Sequence, residues 1–173
     1  MKISDIENAI VSINDFPKKG IVFRDITPLF LDPIKINFII DEMAKLLQSI
    51  DFDVIVAPES RGYLFAVPLA LKLNKPFVMV RKPNKLPRAK LSIDYELEYG
   101  HNILEIHKND IKPNSKVLIV DDLLATGGTS CAIQEMIKQL DSLVVAHMYL
   151  IELEGLIKDQ RLIGKVYSLI KFK

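Results

Sequence analysis

Two adjacent acids and a turn rich in glycine and hydroxyl groups stand side by side in the segment VLIVDDLLATGGTS at 117–130. The turn offers N–H and hydroxyl groups where a helix should begin, and such a terminus binds a phosphate monoester. Carboxylates repel phosphate unless another group separates them. A ribose 5-phosphate fits both features, because its hydroxyls can donate to Asp121 and Asp122 while its phosphate lies in the turn, and Mg²⁺ could bridge the sugar oxygens to a further phosphate. The turn residues are Thr126, Gly127, Gly128, Thr129 and Ser130.

Other phosphate-binding motifs do not match this sequence. It contains neither G-x-x-x-x-G-K-[ST] nor G-x-G-x-x-G, so it lacks a Walker loop and a dinucleotide-binding fingerprint. The alternative for this segment is a turn that only caps a helix with Thr or Ser. The paired acids directly after an apolar run favour the binding site.

A second polar loop follows another apolar run. The segment APESRG at 57–62 comes after DVIVA and before a helical pattern. We therefore expect it at the same edge of an open α/β sheet, where ligands bind. Arg61 could hold a diphosphate through two parallel hydrogen bonds. The alternative is a surface ion pair of Arg61 with Glu59 or with a neighbouring acid.

The apolar pattern predicts strands that alternate with helices, which is typical of a parallel sheet flanked by helices. A long polar loop is predicted at 82–92, followed by a hairpin over 93–106 that turns at 100–102. A short helix is expected between the last two strands. Predicted strands lie at 53–57, 77–80, 117–120, 143–151 and 166–170, and predicted helices at 4–14, 33–49, 62–73 and from about 128.

Composition limits the class of protein. The 173 residues fit one domain, and 23 Lys and Arg against 22 Asp and Glu give a net charge of +1, which does not suggest a nucleic-acid partner. The single cysteine allows no internal disulfide and favours a reducing compartment. No apolar stretch is long enough to span a membrane. We therefore expect one domain, 1–173, in the cytoplasm.

The acid-and-turn segment resembles the phosphoribosyl pyrophosphate-binding motif of the type I phosphoribosyltransferases. The resemblance continues through FPKKGIVFRDITPLF at 16–30, APESRGYLF at 57–65, RKPNKLP at 81–87 and YELEYG at 95–100, and it points to the members that use adenine. It implies a Rossmann-like central parallel sheet, a small hood mainly at 1–30, a flexible loop at about 82–92 and a homodimer. It also implies Mg²⁺-dependent conversion of adenine and phosphoribosyl pyrophosphate to AMP and pyrophosphate, a reaction of purine salvage.

The resemblance further implies roles for individual residues. Glu98 and Arg61 are the catalytic candidates, with Glu98 near the base N7, and Tyr99 orders the mobile loop. The candidates for ribose and its phosphate are Asp121, Asp122, Ala125, Thr126, Gly127, Gly128 and Thr129. The pyrophosphate candidates are Ser60, Arg61, Gly62, Arg81, Lys82 and Lys85. The adenine candidates are Val22, Phe23, Arg24 and Leu123.

No residue is expected to bind a metal directly. The resemblance implies that Mg²⁺ is held mainly through the substrate, with Asp121 or Asp122 bonded through water. His101, His107 and His147 match no zinc pattern, and His147, in a predicted buried strand, is expected to be a satisfied, neutral imidazole. Two of the other roles have open alternatives. Residues 21–23 could equally form an ordinary edge strand instead of contacting adenine, and Glu98 could lie on the solvated face of a strand instead of near the base.

Two other functions are alternatives to an enzyme that uses adenine. One is a phosphoribosyltransferase for another base, such as hypoxanthine, guanine or xanthine, and the wording of the hood argues against it. The other is a non-catalytic sensor of the sugar diphosphate that controls a partner or DNA. The sequence has neither spare length nor a basic face for a DNA-binding module, and the presence of Glu98 and Arg61 favours an enzyme.

Overall fold

A five-stranded parallel sheet forms the centre of the computed structural model, which describes residues 1–97, 100–156 and 162–173. All neighbouring strands in it run parallel. This confirms the predicted α/β class with a central parallel sheet. In spatial order the strands are β4 (Phe77–Val80), β3 (Val54–Pro58), β7 (Lys116–Leu124), β8 (Leu143–Leu153) and β9 (Lys165–Phe172).

Successive residues of the central strands point into two different cores. On β7, Leu118 and Val120 belong to one buried cluster, whereas Val117 and Ile119 belong to the other. The same alternation holds along β3. Because both faces of the sheet are covered, the strands are apolar without interruption, as their sequence indicated.

Helices cover both faces of the sheet. The cluster on one face includes Ile39 and Phe65, and the cluster on the other includes Ile133. Asp32 caps the second helix, because its Oδ1 accepts a hydrogen bond from the Ile34 N–H at 3.0 Å. The helices are α1 (Ile3–Glu7), a 3₁₀ helix (Thr27–Leu31), α2 (Pro33–Leu46), α3 (Gly62–Leu73) and α4 (Gly128–Gln139).

Two antiparallel hairpins accompany the sheet. The first pairs β1 (Val11–Asn14) with β2 (Val22–Asp25), and the second pairs β5 (Lys90–Leu97) with β6 (Gly100–His107). The second hairpin contributes Leu104 and Ile106 to the core that α4 also fills. It therefore lies on the same face of the sheet as α4.

Several predicted boundaries were wrong, and among them the strand predicted at 117–120 extends to Leu124. The first helix ends at Glu7 rather than near 14, since the β-branched stretch from Val11 pairs with β2 instead. Residues 100–102 do not form the turn of the hairpin but belong to β6, because Gly100 pairs with Leu97 and Asn102 with Tyr95. Residues 90–92 belong to β5 rather than to the preceding loop. The short helix expected before β9 falls partly on 157–161, outside the described residues.

Among the helices that the structure describes, none combines the length and the apolar character required to cross a bilayer.

Replacing Gly164 by Ala should destabilise the fold strongly. Gly164 has φ +89°, and a Cβ there would lie 2.5 Å from the Val145 carbonyl oxygen. Gly155 has a similar φ of +80° but open space around it. In urea denaturation we expect Gly155→Ala to cost about 1 kcal/mol from backbone strain alone, and Gly164→Ala to cost about 3 kcal/mol because a clash adds to it. Equal losses for the two variants would contradict the contact with Val145.

Candidate active site

Two adjoining cavities open where β3 ends at Pro58 and β7 ends at Leu124. The larger has a volume of about 440 Å³ and the smaller about 260 Å³. They form one groove, because Arg61, Asp121 and Asp122 line both. The structure therefore brings together the two loops that the sequence placed at one sheet edge.

The two acids of β7 lie at the junction of the cavities. The Asp122 N–H donates to Asp121 Oδ1 at 2.8 Å, and Asp122 Oδ2 lies 3.0 Å from Arg61 Nε. Burial raises the pKa of Asp121 well above its ordinary value, and the charge of Asp122 raises it further. Burial also raises the pKa of Asp122, although the Arg61 guanidinium opposes that rise. The pair is thus costly to keep ionised without a ligand.

The glycine-rich turn lines the smaller cavity. Gly127 caps α4, and the Cys131 N–H makes the first helical hydrogen bond to the Gly127 carbonyl at 2.9 Å. The N–H groups of Gly128, Thr129 and Ser130 precede the first hydrogen bond of the helix. They therefore point out of its first turn, where they can bind an anion, and we call them the anion cradle. The full lining of this cavity is Arg61 together with every residue from 121 to 130.

The Arg61 loop packs directly against the acids. A Cβ on Gly62 would lie 3.0 Å from Asp121 Oδ1 and 3.1 Å from the Val120 carbonyl oxygen. Glycine at this position therefore lets the start of α3 approach the end of β7 closely. Ser60 and Arg61 line the larger cavity from the same loop. Gly62 is not among its lining residues, so the structure places Gly62 in packing between the two loops.

Glu59 holds the cations that follow β4, a role that the sequence did not reveal. Its carboxylate lies 3.2 Å from Arg81 Nε and 3.4 Å from Lys85 Nζ, and it accepts the Lys82 N–H at 3.2 Å. Burial alone would raise the pKa of Glu59, but the Lys82 N–H and the two cations outweigh it and keep that pKa below its ordinary value. Lys82 lines the larger cavity. Arg81 and Lys85 are connected to it only through their ion pairs with Glu59, which lines it.

Two further acids bind the rest of this cationic segment. Arg88 makes two hydrogen bonds of 2.7 Å to Asp110, and Lys90 Nζ lies 2.8 Å from Glu105 Oε2. Glu105 also accepts the Asn84 N–H at 3.1 Å. Arg81, Lys85, Arg88 and Lys90 are therefore each paired with a carboxylate on another element, whereas Lys82 bonds to Glu59 through its backbone N–H.

The adenine candidates separate into different places. Phe23 lines the larger cavity, with its ring 5.2 Å from the Phe16 ring and 5.3 Å from the Arg61 guanidinium carbon. The neighbouring Val22 and Arg24 alternate onto the other face of β2. The Arg24 guanidinium bonds to Ser12 and stacks 4.0 Å above the ring of Phe172. The fourth candidate, Leu123, lines the smaller cavity.

The hairpin of β5 and β6 closes one side of the groove. Tyr95 lies with its hydroxyl 3.4 Å from Thr129 Oγ1, and it lines the larger cavity with residues 102–104. Sequence reasoning missed these residues, since nothing local to them indicates a contact with the glycine-rich turn. The catalytic candidate Glu98 and the loop-ordering candidate Tyr99 lie outside the described residues.

Within the described ranges, His, Cys, Asp and Glu side chains form no group of three or more that could hold a metal ion. The acids at the groove are the pair on β7 and the cation-bound Glu59. Mg²⁺ prefers six oxygen ligands and keeps several waters. Two carboxylates fit such an ion if water and substrate oxygens complete its coordination.

The sequence model of the phosphoribosyl transferase domain matches residues 34–161, which include both loops of the groove. The chain belongs to the phosphoribosyltransferase family. It is 60% identical to the adenine phosphoribosyltransferase of Malacoplasma penetrans over 172 residues, 99% of this chain and 100% of that protein. It is 52% identical to the adenine phosphoribosyltransferase of Ureaplasma parvum, covering 99% of both chains.

Solved structures of this phosphoribosyltransferase family share the fold. The adenine phosphoribosyltransferase of Thermoanaerobacter pseudethanolicus superposes with a TM-score of 0.95 at 47% identity, covering 99% of this chain and 100% of that one. The Saccharomyces cerevisiae enzyme, solved with adenine and an imino-altritol bisphosphate, gives a TM-score of 0.90 at 37% identity and covers 96% and 97%. The predicted type I phosphoribosyltransferase fold is confirmed.

Replacing Asp121 by Asn should stabilise the free protein. The folded-state pKa of Asp121 is raised, so its ionisation opposes folding as the pH rises through that pKa. The gain should therefore be largest above the folded-state pKa and vanish as the pH falls toward the ordinary value of 3.8. We expect about 0.5–2 kcal/mol at pH 7 by urea denaturation.

The matched control is Asp41→Asn, since Asp41 is an exposed aspartate paired with Lys72. It should change the free energy of unfolding by less than about 0.5 kcal/mol. A loss of stability in Asp121→Asn at pH 7 would show that the acid is satisfied in the free protein.

Proposed function

We propose that this chain transfers the 5-phosphoribosyl group from phosphoribosyl pyrophosphate to adenine, giving AMP and pyrophosphate in purine salvage. The observation that carries the proposal is the groove itself, in which Asp121 and Asp122 lie between an anion cradle and the Arg61 loop. A sugar with phosphate groups at both ends fits this order of charges. Relatives at 60% and 52% identity that are adenine phosphoribosyltransferases support it.

The ribose would lie over the two acids. Its 5-phosphate would take the N–H groups at the start of α4 together with the hydroxyls of Thr126 and Thr129. The 2- and 3-hydroxyls would donate to Asp121 and Asp122, which adds donors to two carboxylates that burial makes costly to keep ionised. The acids would then also stabilise positive charge that develops on the sugar during transfer.

The pyrophosphate would lie along the Arg61 loop. Ser60 and Lys82 line the same cavity as Arg61. Arg81 and Lys85, held by Glu59, stand close enough to the loop to exchange one acidic partner for another. Positive groups there would neutralise the departing pyrophosphate, and positioning supplies most of the remaining rate enhancement. Closure of the segment at about 82–92 would exclude water from the activated sugar.

The adenine would occupy the part of the larger cavity that Phe23 lines. An aromatic ring there can stack on a purine. The backbone of 22–24 would read the base edge, because adenine presents an amine donor beside ring acceptors. A 6-oxo purine would leave a buried polar group unpaired, and such a mismatch discriminates strongly.

Glu98 would act on the base at N7. In the forward direction a carboxylate holds the N7 proton of the reactive tautomer, and in the reverse direction protonation of N7 helps the base to leave. Tyr99 would order the mobile loop at about 82–92.

Mg²⁺ would be held mainly by substrate oxygens, with Asp121 or Asp122 bonded through water. When bound, the ion would supply charge neutralisation at the pyrophosphate. A cytoplasmic location is proposed from the single cysteine, since secreted proteins of this size usually pair their thiols.

A homodimer is also proposed. One face of α3 exposes an apolar stripe at helical spacing, with Leu64 at 44%, Val67 at 40% and Leu71 at 79% exposure. Such a patch is typical of a subunit interface, and two-fold assemblies are the commonest kind. Because α3 begins at the Arg61 loop, a partner on this face would lie beside the pyrophosphate site.

The decisive experiment measures AMP formation from adenine and phosphoribosyl pyrophosphate with Mg²⁺. Hypoxanthine and guanine serve as parallel substrates. We expect adenine to be preferred by at least about 100-fold in kcat/KM, because the wrong base leaves a buried polar group unpaired. Turnover of a 6-oxo purine at a similar rate would assign the enzyme to another base, and binding without turnover would make it a sensor.

Arg61→Ala should raise the KM for phosphoribosyl pyrophosphate and lower kcat. It removes the guanidinium beside Asp122 and the donor pair for the pyrophosphate. We expect a loss of at least about tenfold in kcat/KM from one charged hydrogen-bonding group. Arg88→Ala is the control, since its guanidinium is bound to Asp110 and lines neither cavity. An unchanged KM in Arg61→Ala would remove the pyrophosphate assignment.

Glu98→Gln should depress kcat more than it changes the affinity for adenine. The amide keeps the size of the side chain but cannot exchange a proton with N7, and loss of such acid-base catalysis costs about 100-fold or more. Steady-state kinetics and adenine titration separate the two effects, with Glu96→Gln as the control two positions earlier. If kcat is unchanged in this variant, the N7 proton is transferred by water or by a backbone group instead of Glu98.

A further inference from the structure

A chain of buried polar side chains runs from the first turn of α4 to the start of β9. Ser130 Oγ lies 2.6 Å from the Tyr149 hydroxyl, which lies 3.2 Å from His147 Nδ1. His147 Nε2 lies 2.9 Å from Gln134 Oε1 and 3.0 Å from the Ile163 carbonyl oxygen. All four side chains are buried, with Tyr149 and His147 at 0% exposure. Among the described residues neither acid of the groove hydrogen-bonds to this chain, although Asp121 stands opposite Tyr149 in the pairing of β7 with β8 and its charge contributes to raising the pKa of that phenol.

The far end of the chain fixes the tautomer of His147. The Ile163 N–H donates to Gln134 Oε1 at 2.7 Å, which settles that this atom of the amide is the oxygen. His147 Nε2 therefore faces two acceptors, the Gln134 oxygen and the Ile163 carbonyl. It must carry a hydrogen to satisfy either of them.

The tautomer in turn fixes the direction of every other bond. Burial lowers the pKa of His147 to about 4, so the ring is neutral and Nδ1 is an acceptor. Tyr149 must then donate its hydroxyl hydrogen to Nδ1, and burial raises the pKa of this phenol so that it keeps the hydrogen. The Tyr149 oxygen is left as the acceptor for the Ser130 hydroxyl. Each hydroxyl has one hydrogen to give, so the whole chain donates toward Ile163.

This direction changes the role of Ser130 in the anion cradle. Its hydroxyl hydrogen is committed to Tyr149 and is not available to a phosphate. Its backbone N–H still precedes the first hydrogen bond of α4. Ser130 is thus an anchored residue, although the sequence had counted its hydroxyl among the groups facing the phosphate.

We propose that Tyr149 and His147 are positioning residues for the phosphate cradle, which they hold in place through Ser130. The proposal rests on the proposed function, because the cradle is the 5-phosphate site of that reaction. Gly127 and Gly128 precede Thr129 and Ser130, and two glycines leave a turn free to sample many conformations. The bond from Ser130 to β8 fixes the helix side of that turn. The side-chain donors to the phosphate are then Thr126 and Thr129.

The test compares Ser130→Ala, Tyr149→Phe and the double variant in the full chain. Calorimetry gives the Kd for ribose 5-phosphate and for magnesium pyrophosphate, and kinetics give the KM and kcat with adenine and phosphoribosyl pyrophosphate. Each single variant should weaken ribose 5-phosphate about fivefold, the size of one lost hydrogen bond. The double variant should lose no more than either single variant, since both remove the same anchor. Pyrophosphate affinity and kcat should stay within about twofold.

The controls separate the possible failures. Tyr167→Phe removes a hydroxyl from the neighbouring strand β9 and should change neither affinity. If Ser130→Ala weakens ribose 5-phosphate but Tyr149→Phe does not, Ser130 is a direct phosphate donor and the proposal is wrong. It is also wrong if neither variant has an effect, or if pyrophosphate weakens equally, which would indicate general loosening. Failure of the wild-type protein to make AMP would instead overturn the proposed function.

Discussion

The arrangement of the groove depends on two neighbouring carboxylates that are buried at the end of one strand. Asp121 and Asp122 are desolvated and repel each other, and the guanidinium that offsets their charge comes from the next loop of the sheet. The parallel sheet brings the two loops to one edge, and Gly62 lets them touch. A ligand rich in hydroxyl donors relieves a cost that the free protein carries, so binding energy is stored in the fold before the substrate arrives.

Much of this arrangement could be predicted from the sequence, because its signals are local. Continuous apolar runs identified the buried strands, and α3 begins and ends at the predicted residues, Gly62–Leu73. Both ligand-facing loops followed from the rule that parallel strands end at one edge. His147 was expected as a neutral, satisfied residue in a buried strand, and the structure places it there.

The features that sequence reasoning missed depend on partners far along the chain. The stretch from Val11 has a helical pattern, yet pairing with β2 makes it a strand. Glu59 meets cations more than 20 positions away, and Ser130 meets Tyr149 across 19 positions. No local sequence pattern predicts such long-range contacts, because they form only when the helices and strands pack together. The sequence named Phe23 together with Val22 and Arg24 as adenine candidates, and only the folded strand shows that Phe23 faces the groove while those two neighbours face away.

The pairing of the cationic segment with Glu59, Glu105 and Asp110 also affects how strongly the molecule attracts long polyanions. A bare run of lysine and arginine attracts any polyanion, since each neutralised phosphate releases a counterion. Here four of those cations are already paired with carboxylates that lie within 3.4 Å of them, so fewer positive groups are left to neutralise phosphates. Long nucleic acids in a crowded cell therefore meet a muted field. A compact diphosphate in the proposed site would have to displace the acids one by one, which would make the segment selective by competition rather than by charge.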